Sequence, residues 1–156
     1  MNPRLVDRVN TLNTSPVNEQ GKYVLYWMIA NRRYHSNAAL EYAAYIAKQQ
    51  NVPLLVLEEI STRHKFANDR ITSFMVQGML DNIRVFRDNK IRYIPWVETP
   101  ISGQIGKLHE LAEDAVMVIS DDFPTYFPRK AIESASKSLS VRFLAVDSNG
   151  VFPMSW

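Results

Sequence analysis

The sequence predicts an α/β fold, a doubly wound five-stranded parallel sheet with helices on both faces, and two observations support it. Continuous apolar runs rich in aromatic and β-branched residues, which are typical of strands buried on both faces, recur along the chain. Between these runs, apolar residues repeat at helical spacing, so strands and helices alternate. The 156 residues, of which 46% are hydrophobic and 22% charged, suffice for one domain with a packed core.

The five predicted strands lie at residues 23–29, 53–57, 91–97, 115–119 and 141–146. Four helices are predicted between them, with apolar stripes that include Leu40, Phe74, Leu108 and Ile132. Ser36 or Asn37 can cap the first helix, and Asn68 or Asp69 can cap the second. Pro95 places the third strand near an edge of the sheet, because proline cannot donate a hydrogen bond to a neighbouring strand.

The first and fourth predicted strands are the most uniformly apolar, which places them at the centre of the sheet. The strand order 3-2-1-4-5 follows, a Rossmann-like arrangement in which ligands bind at the carboxyl ends of the strands where the order reverses. Two loops should therefore form a ligand crevice, Ala30–Asn37 after the first strand and Ser120–Phe127 after the fourth. Trp27, at the end of the first strand, is expected to pack in the core.

Residues 1–20 are polar and contain two prolines, so we interpret them as an irregular arm that precedes a domain at residues 21–156. No stretch approaches the roughly 18 apolar residues of a membrane span, so no membrane partner is expected and the cytoplasm is the expected location. The absence of cysteine excludes disulfides, thiolate catalysis and Cys-ligated metals. A net charge of +2 is too small to indicate a nucleic-acid partner.

The first loop contains no glycine, which argues against an ordinary dinucleotide site there. Arg32 and Arg33 could recognise an anionic or planar ligand, but a solvated basic turn is the favoured interpretation for both. The second loop carries Asp121 and Asp122, which could hold Mg²⁺ as in receiver domains. The other acids and the lysine of such domains are missing, so a turn stabilised by Asx hydrogen bonds is favoured.

No catalytic or metal-binding constellation is expected from the remaining residues. The three histidines, His35, His64 and His109, lie far apart, and no pair has the spacing of metal ligands. No serine stands in the context of a nucleophile elbow. His109 is expected at the surface of an amphipathic helix.

Several segments, in the same order, resemble the N-terminal α/β domain of DNA photolyases, and the class II branch most closely. They are Gly21–Met28 with Arg32–Arg33 and Asn37–Ala43, Pro53–Val56, Arg70–Leu80, Asp122–Pro124 with Pro128–Arg129, and Val146–Pro153. The resemblance implies a light-driven enzyme that repairs cyclobutane pyrimidine dimers, with FAD in a helical C-terminal domain that is absent from this chain. This chain alone is then expected to be inactive in repair, and whether it is an enzyme stays open.

The resemblance also implies that the domain holds an antenna chromophore, which is a deazaflavin, a folate or a flavin depending on the family member. Carried over to this sequence, the antenna pocket consists of Met28, Asn31, Arg32, Asn37, Glu58, Arg70, Asp122 and Phe123. The implied partners are the helical FAD domain of the parent protein and, only through the full-length protein, damaged DNA. A homodimer is possible through an apolar face that includes Tyr42, Tyr45, Phe152, Met154 and Trp156.

Two alternatives stay open at this point. One is a stand-alone nucleotide- or small-molecule-binding α/β domain of the universal-stress type, which should carry a glycine-rich phosphate loop after the fourth strand. The chain has Asp121–Pro124 at that position instead. The other alternative is a non-enzymatic interaction module that uses an exposed apolar patch.

Overall fold

The computed structural model describes residues 3–62, 67–98 and 106–154, and strands and helices alternate along most of them. The elements in chain order are α1 (Pro3–Val6), β1 (Val9–Thr11), β2 (Tyr23–Trp27), α2 (Ala38–Gln49), β3 (Leu54–Ser61), α3 (Asp69–Asp88), β4 (Arg92–Glu98), α4 (Lys107–Glu113), β5 (Ala115–Asp122), α5 (Tyr126–Ser138) and β6 (Phe143–Asp147). The predicted α/β class is confirmed.

The strands form one six-stranded mixed sheet in the order β1-β6-β5-β2-β3-β4. Its five parallel strands follow the predicted order, but β1 pairs antiparallel with β6, with Val9 opposite Val146. The predicted five-stranded, wholly parallel sheet is therefore wrong in its strand number and in the direction of one strand. Three residues with the sequence Val-Asn-Thr give too short an apolar pattern to reveal a strand. Within the arm that was expected to be irregular, α1 and β1 are regular elements, whereas residues 12–18 contain no helix or strand.

Side-chain alternation along β2 separates two cores, one on each face of the sheet. Tyr26 and Met28 belong to the cluster that contains Ala43 of α2 and Phe86 of α3. Trp27 belongs to the opposite cluster, which includes α4, α5 and β6 residues, and it is 7% exposed, as expected for a core position. Because successive side chains point to opposite faces, neighbouring residues at the end of β2 reach different sides of the sheet.

The helix caps follow the sequence closely. The Asn37 side chain accepts from the Leu40 amide at 3.0 Å, and that of Asn68 accepts from the Ile71 amide at 3.0 Å. The first turns of α3 contain no buried residue before Met79, so this half of the helix lies largely in solvent beside the carboxyl edge of the sheet. Among the described residues, no helix combines the length and apolar character that a membrane crossing requires.

Candidate ligand crevice

The loop after β2 is organised by a carboxylate from β5. Asp121 is fully buried, and its Oδ2 accepts from three successive backbone amides, those of Ile29, Ala30 and Asn31, at 3.1, 2.8 and 3.0 Å. Its Oδ1 accepts from the Tyr26 hydroxyl at 2.7 Å. Concave runs of amides of this kind bind anions in many proteins. Here the anion is the protein's own Asp121 carboxylate. The two predicted loops therefore do meet, but the amides that could bind an anion are already occupied.

Tyr26 and Asn37 extend this buried network to the start of α2. Asn37 Nδ2 donates to the Tyr26 hydroxyl oxygen at 3.0 Å and to the Asn31 carbonyl at 3.0 Å. Burial, followed by the neighbouring charge of Asp121, raises the pKa of Tyr26 well above its ordinary value. Tyr26 therefore remains a hydrogen-bond donor to Asp121 at any pH at which the protein is handled.

A second buried carboxylate, Glu58 at the end of β3, is also fully satisfied. It accepts from Arg32 at 3.1 Å, from Asn82 Nδ2 at 2.9 Å and from the Tyr93 hydroxyl at 2.6 Å. Arg32 also donates to the Glu59 carbonyl at 2.9 Å. Burial and the hydrogen bond to Glu58 raise the pKa of Tyr93. The Arg32–Glu58 pair carries no net charge, so Arg32 is not a free anion-binding group.

A cavity of about 160 Å³ lies at the carboxyl ends of β2, β3 and β4, and Arg32 of the Glu58 network is part of its lining. Its described lining is mostly apolar and aromatic, with three ionisable side chains, and consists of Trp27, Ile29, Arg32, Glu59, Ile60, Ser61, Met75, Glu98, Gly106, Phe127 and Ala131. Because Arg32 is paired with Glu58, the carboxylate of Glu59 gives the cavity a negative character. Arg32 and Met75 also line an adjoining cavity of about 370 Å³ under α3.

Glu59 differs from the two satisfied carboxylates because no lysine or arginine among the described residues forms an ion pair with it. Its side chain accepts from the backbone amides of Lys107 and Leu108 at the start of α4. Burial is the largest cause of its raised pKa, and the charge of Glu98 raises it further. Backbone amides therefore stabilise this partly buried carboxylate, and no cation compensates its charge.

The wall of the cavity also contains an unused donor. Within the described part of the chain, the buried Nε1–H groups of Trp27 and Trp96 have no hydrogen-bond partner. The Trp27 indole N–H faces Glu59 closely enough to favour the charged carboxylate, but its geometry falls short of a hydrogen bond. Most buried polar groups are paired, so an unpaired indole beside a cavity indicates a place for a ligand acceptor.

The structure does not gather the eight residues expected for an antenna pocket into one site. Four of them, Met28, Asn31, Asn37 and Glu58, are buried in the core or in the two networks. Arg32 alone lines the crevice beside Trp27. Asp122 and Phe123 line a separate cavity of about 330 Å³ with Met154, and Arg70 is exposed at the start of α3. Their role in binding a chromophore stays a prediction.

Two interpretations of single loops need correction. Asp121 neither faces solvent as a metal ligand nor forms a local Asx turn, because its carboxylate bonds to a loop about ninety residues earlier. Arg32 is an ion-pair partner, whereas Arg33 lies in the turn and donates to the Ser36 carbonyl at 3.3 Å. His109 is exposed, as expected, and lies 2.7 Å from the Ser138 hydroxyl.

Sequence reasoning missed Ser61, Glu98 and the indole of Trp27 as lining residues. The signal available was position, because each lies at the carboxyl end of a predicted strand, where side chains face the crevice. Within the described residues, no group of three or more His, Cys, Asp or Glu side chains is placed to hold a metal ion. Of the proposed apolar face, Phe152 and Met154 are exposed by 70% and 45%, Tyr42 and Tyr45 are half-buried, and Trp156 lies outside the described residues.

Comparison of the sequence with family models gives no match. The chain is 29% identical over 148 residues to a deoxyribodipyrimidine photo-lyase of Methanothermobacter thermautotrophicus. This alignment covers 95% of the chain and 32% of that protein, so the chain spans about a third of the length of this relative.

Solved structures that match this chain, in contrast, include universal stress proteins. A universal stress protein of Pseudomonas aeruginosa UCBPP-PA14 matches 92% of this chain and 54% of its own, with a TM-score of 0.61 and 11% identity. The fold is that of the universal stress proteins. PA1789 of Pseudomonas aeruginosa PAO1, described as functionally unknown, matches 89% of this chain and 51% of its own, with a TM-score of 0.58 and 12% identity. At these identities the universal-stress fold is shared, and nothing beyond the fold follows.

These findings overturn the assignment to the class II DNA photolyases. The matching solved structures are of universal-stress type, and the photolyase match, at 29% identity, covers only 32% of that protein. The segments that suggested the family are apolar strands and helix starts, which any parallel α/β sheet needs in the same order. The similarity of these segments to photolyases therefore indicates a shared fold rather than a shared activity.

Proposed function

We propose that this domain binds a small, ring-shaped organic molecule that donates hydrogen bonds to carboxylates, and does not hold a nucleotide by its phosphates. The observation that carries the proposal is the crevice itself. A cavity of about 160 Å³ places an uncompensated carboxylate, Glu59, beside an unpaired donor, the Trp27 indole N–H. Apolar walls with a few convergent polar groups are the usual composition of small-molecule sites.

The size of the cavity limits what enters it. An apolar cavity of about 150 Å³ is large enough for a benzene ring, so one ring of a fused system fits here and the remaining rings or a tail must extend beyond it. The adjoining cavity under α3, which shares Arg32 and Met75, offers space for such a tail.

The polar groups limit the chemistry of the ligand. Glu59 favours a ligand with N–H donors or a positive charge, and Trp27 favours an acceptor next to that donor. Heteroaromatic rings with adjacent N–H and carbonyl or ring-nitrogen groups meet both requirements. Flavin, deazaflavin and folate rings and nucleobases all belong to this class, which makes them the first candidates to test.

Phosphate recognition is disfavoured for two reasons. Asp121 already occupies the amides that would hold a phosphate at the end of β2. The arginine in the cavity wall is committed to Glu58. A phosphate beside the Glu59 carboxylate would meet like charge, which is unfavourable in a partly buried site.

Paired ligands that differ only in their phosphates test the proposal. The purified chain is titrated with riboflavin and FMN, and with adenosine and ATP, by intrinsic tryptophan fluorescence and calorimetry. We expect at least one uncharged member to bind with a Kd of about 10–100 μM, no weaker than its phosphorylated partner. Glu59→Gln should weaken that binding about tenfold, because a hydrogen bond to a charged acceptor is lost.

Glu19→Gln, which changes an exposed carboxylate away from the cavity, is the matched control and should leave the Kd unchanged. The proposal fails if none of the four compounds binds at concentrations up to about 1 mM. It also fails if the phosphorylated members bind about tenfold more tightly than the uncharged ones.

A further inference from the structure

The carboxylate of Asp121 occupies a position that has the geometry of an anion site. Three consecutive amides, from Ile29 to Asn31, converge on one oxygen atom, and no lysine or arginine of the described residues pairs with it. Phosphate groups in parallel α/β proteins bind to backbone amides at this end of the sheet, where the strand order reverses. The loop thus resembles a phosphate-binding loop that is already occupied.

We propose that Asp121 is a specificity-determining residue of the crevice, because its carboxylate takes the place of a bound oxyanion and so excludes phosphate-bearing ligands. This inference rests on the proposed function, since it explains why the crevice accepts uncharged ligands. It further implies a latent anion site. When the carboxylate is removed, the amides of Ile29, Ala30 and Asn31 become free to bind an anion from solution.

The surrounding contacts define what the latent site would accept. Besides the three amides, the Tyr26 hydroxyl at 2.7 Å and Asn31 Nδ2 at 3.4 Å donate to Asp121, so the pocket contains five donors. Asn37 holds Tyr26 in place from the other side, at 3.0 Å. These donors surround two oxygen positions, which is the arrangement that a carboxylate fills. A tetrahedral oxyanion such as phosphate can place two of its oxygens, along one edge, at the same positions.

A purely structural role for Asp121 predicts something different. If the side chain only ties two loops together, its loss destabilises the protein and no free anion restores the stability. If the amides form an anion site, a free anion restores what the side chain supplied, because binding to the folded state raises stability by mass action.

The experiment uses Asp121→Ala with formate, which has the size of the missing carboxylate, and with inorganic phosphate. Thermal unfolding is followed by circular dichroism at constant ionic strength, with chloride as the reference anion. We expect both anions to raise the Tm of the variant in a saturable way, with half-saturation in the millimolar range. The wild-type chain should show only the small general effect of these salts.

Two further variants serve as controls. Asp122→Ala removes the adjacent carboxylate, which accepts from Asn10 at 2.8 Å and not from the loop amides, and it should respond like the wild type. Asp121→Asn keeps the position filled and should show no saturable anion response. If Asp121→Ala is unfolded in chloride, the readout becomes the recovery of the folded signal on addition of formate.

The proposal is overturned if Asp121→Ala responds to formate and phosphate no more than Asp122→Ala, or stays unfolded in both anions. A response to formate alone would also overturn it, because phosphate exclusion would then come from the walls of the pocket. Riboflavin and adenosine binding by the wild type is measured separately. If anions restore the stability of Asp121→Ala but the wild type binds neither compound, only the proposed function is wrong. If the wild type binds a compound but anions do not restore the variant, only this inference is wrong.

Discussion

Three carboxylates at the carboxyl edge of the sheet differ in what satisfies them. Asp121 receives backbone amides and a tyrosine, and Glu58 receives Arg32, Asn82 and Tyr93. Glu59 receives the first amides of α4 and, more weakly, the Trp27 indole N–H, and burial raises its pKa. The first two are fully satisfied by protein groups, while Glu59 carries a cost that a ligand can relieve. This difference, at the scale of single atoms, is what identifies the crevice.

The raised pKa of Glu59 predicts a specific dependence of stability on pH. Its pKa in the folded protein lies above the ordinary value of 4.5, so the folded state binds a proton more readily than the unfolded chain does. Stability should therefore fall as the pH rises from the ordinary pKa of Glu59 through its folded pKa. Glu59→Gln should remove this loss and raise the Tm at neutral pH by roughly 1–3 °C.

The measurement is the Tm of the wild type, of Glu59→Gln and of the exposed control Glu19→Gln between pH 4 and 8. The difference between Glu59→Gln and the wild type should grow with pH, whereas Glu19→Gln should follow the wild type. A difference that is constant over this range, or that shrinks with rising pH, would show that Glu59 does not titrate as described.

At the scale of elements, the close approach of the turn before β2 to the start of β5 depends on Gly21. A Cβ at this position would lie 2.3 Å from the Val116 amide nitrogen and 2.5 Å from its Cα, and backbone atoms cannot yield as a flexible side chain can. We expect Gly21→Ala to destabilise the protein by about 2–3 kcal/mol, the upper range for steric overpacking.

Gly78 is the matched control for this substitution. It lies in α3, and nothing within 4 Å would contact an added Cβ. Gly78→Ala should stabilise the protein by about 0.5–1 kcal/mol, because alanine loses less backbone entropy in a helix. Urea unfolding of the two variants gives both values, and a Gly21→Ala variant as stable as the wild type would contradict the packing described here.

The elements that the sequence predicted well are those whose signal is local. Continuous apolar runs located five strands, and Asn37 and Asn68 cap the helices that they were expected to cap. The proline in β4 indicated an edge strand, and β4 does lie at an edge of the sheet. Strand β1 escaped prediction because its pairing partner, β6, is more than 130 residues away and its own pattern is only three residues long.

The site was less predictable than the fold, because its contacts join residues that are far apart in the sequence. The strand order placed the crevice at the ends of β2 and β5, whereas the cavity beside Trp27 is lined by residues at the ends of β2, β3 and β4. The partners of its side chains did not follow from the sequence either. Nothing in the local sequence indicates that Asp121 bonds to residues 29–31, or that Arg32 is neutralised by Glu58. These contacts arise only when separate strand ends meet, so the sequence suggested a basic loop and an acidic turn where the structure has two satisfied networks.

At the scale of the whole molecule, the two ends of the described chain are tied together at the β1 edge of the sheet. The Arg8 side chain donates to the carbonyls of Asn149 and Val151 at 3.3 and 2.6 Å, and β1 covers the outer edge of β6. The domain built on this six-stranded sheet has the universal-stress fold, while its sequence is similar to that of a photo-lyase. Neither relation supplies a function, because folds of this class carry many activities.

We propose that the crevice beside Trp27 is open to an uncharged ring and that the loop amides are closed to phosphate. A nitrogen-15 correlation spectrum of the labelled chain, titrated with riboflavin and with inorganic phosphate, tests both parts. We expect riboflavin to shift the Trp27 indole cross-peak, identified with Trp27→Phe, and phosphate to leave the amides of Ile29, Ala30 and Asn31 unchanged. A phosphate-dependent shift of those three amides, with no response of Trp27 to riboflavin, would contradict it.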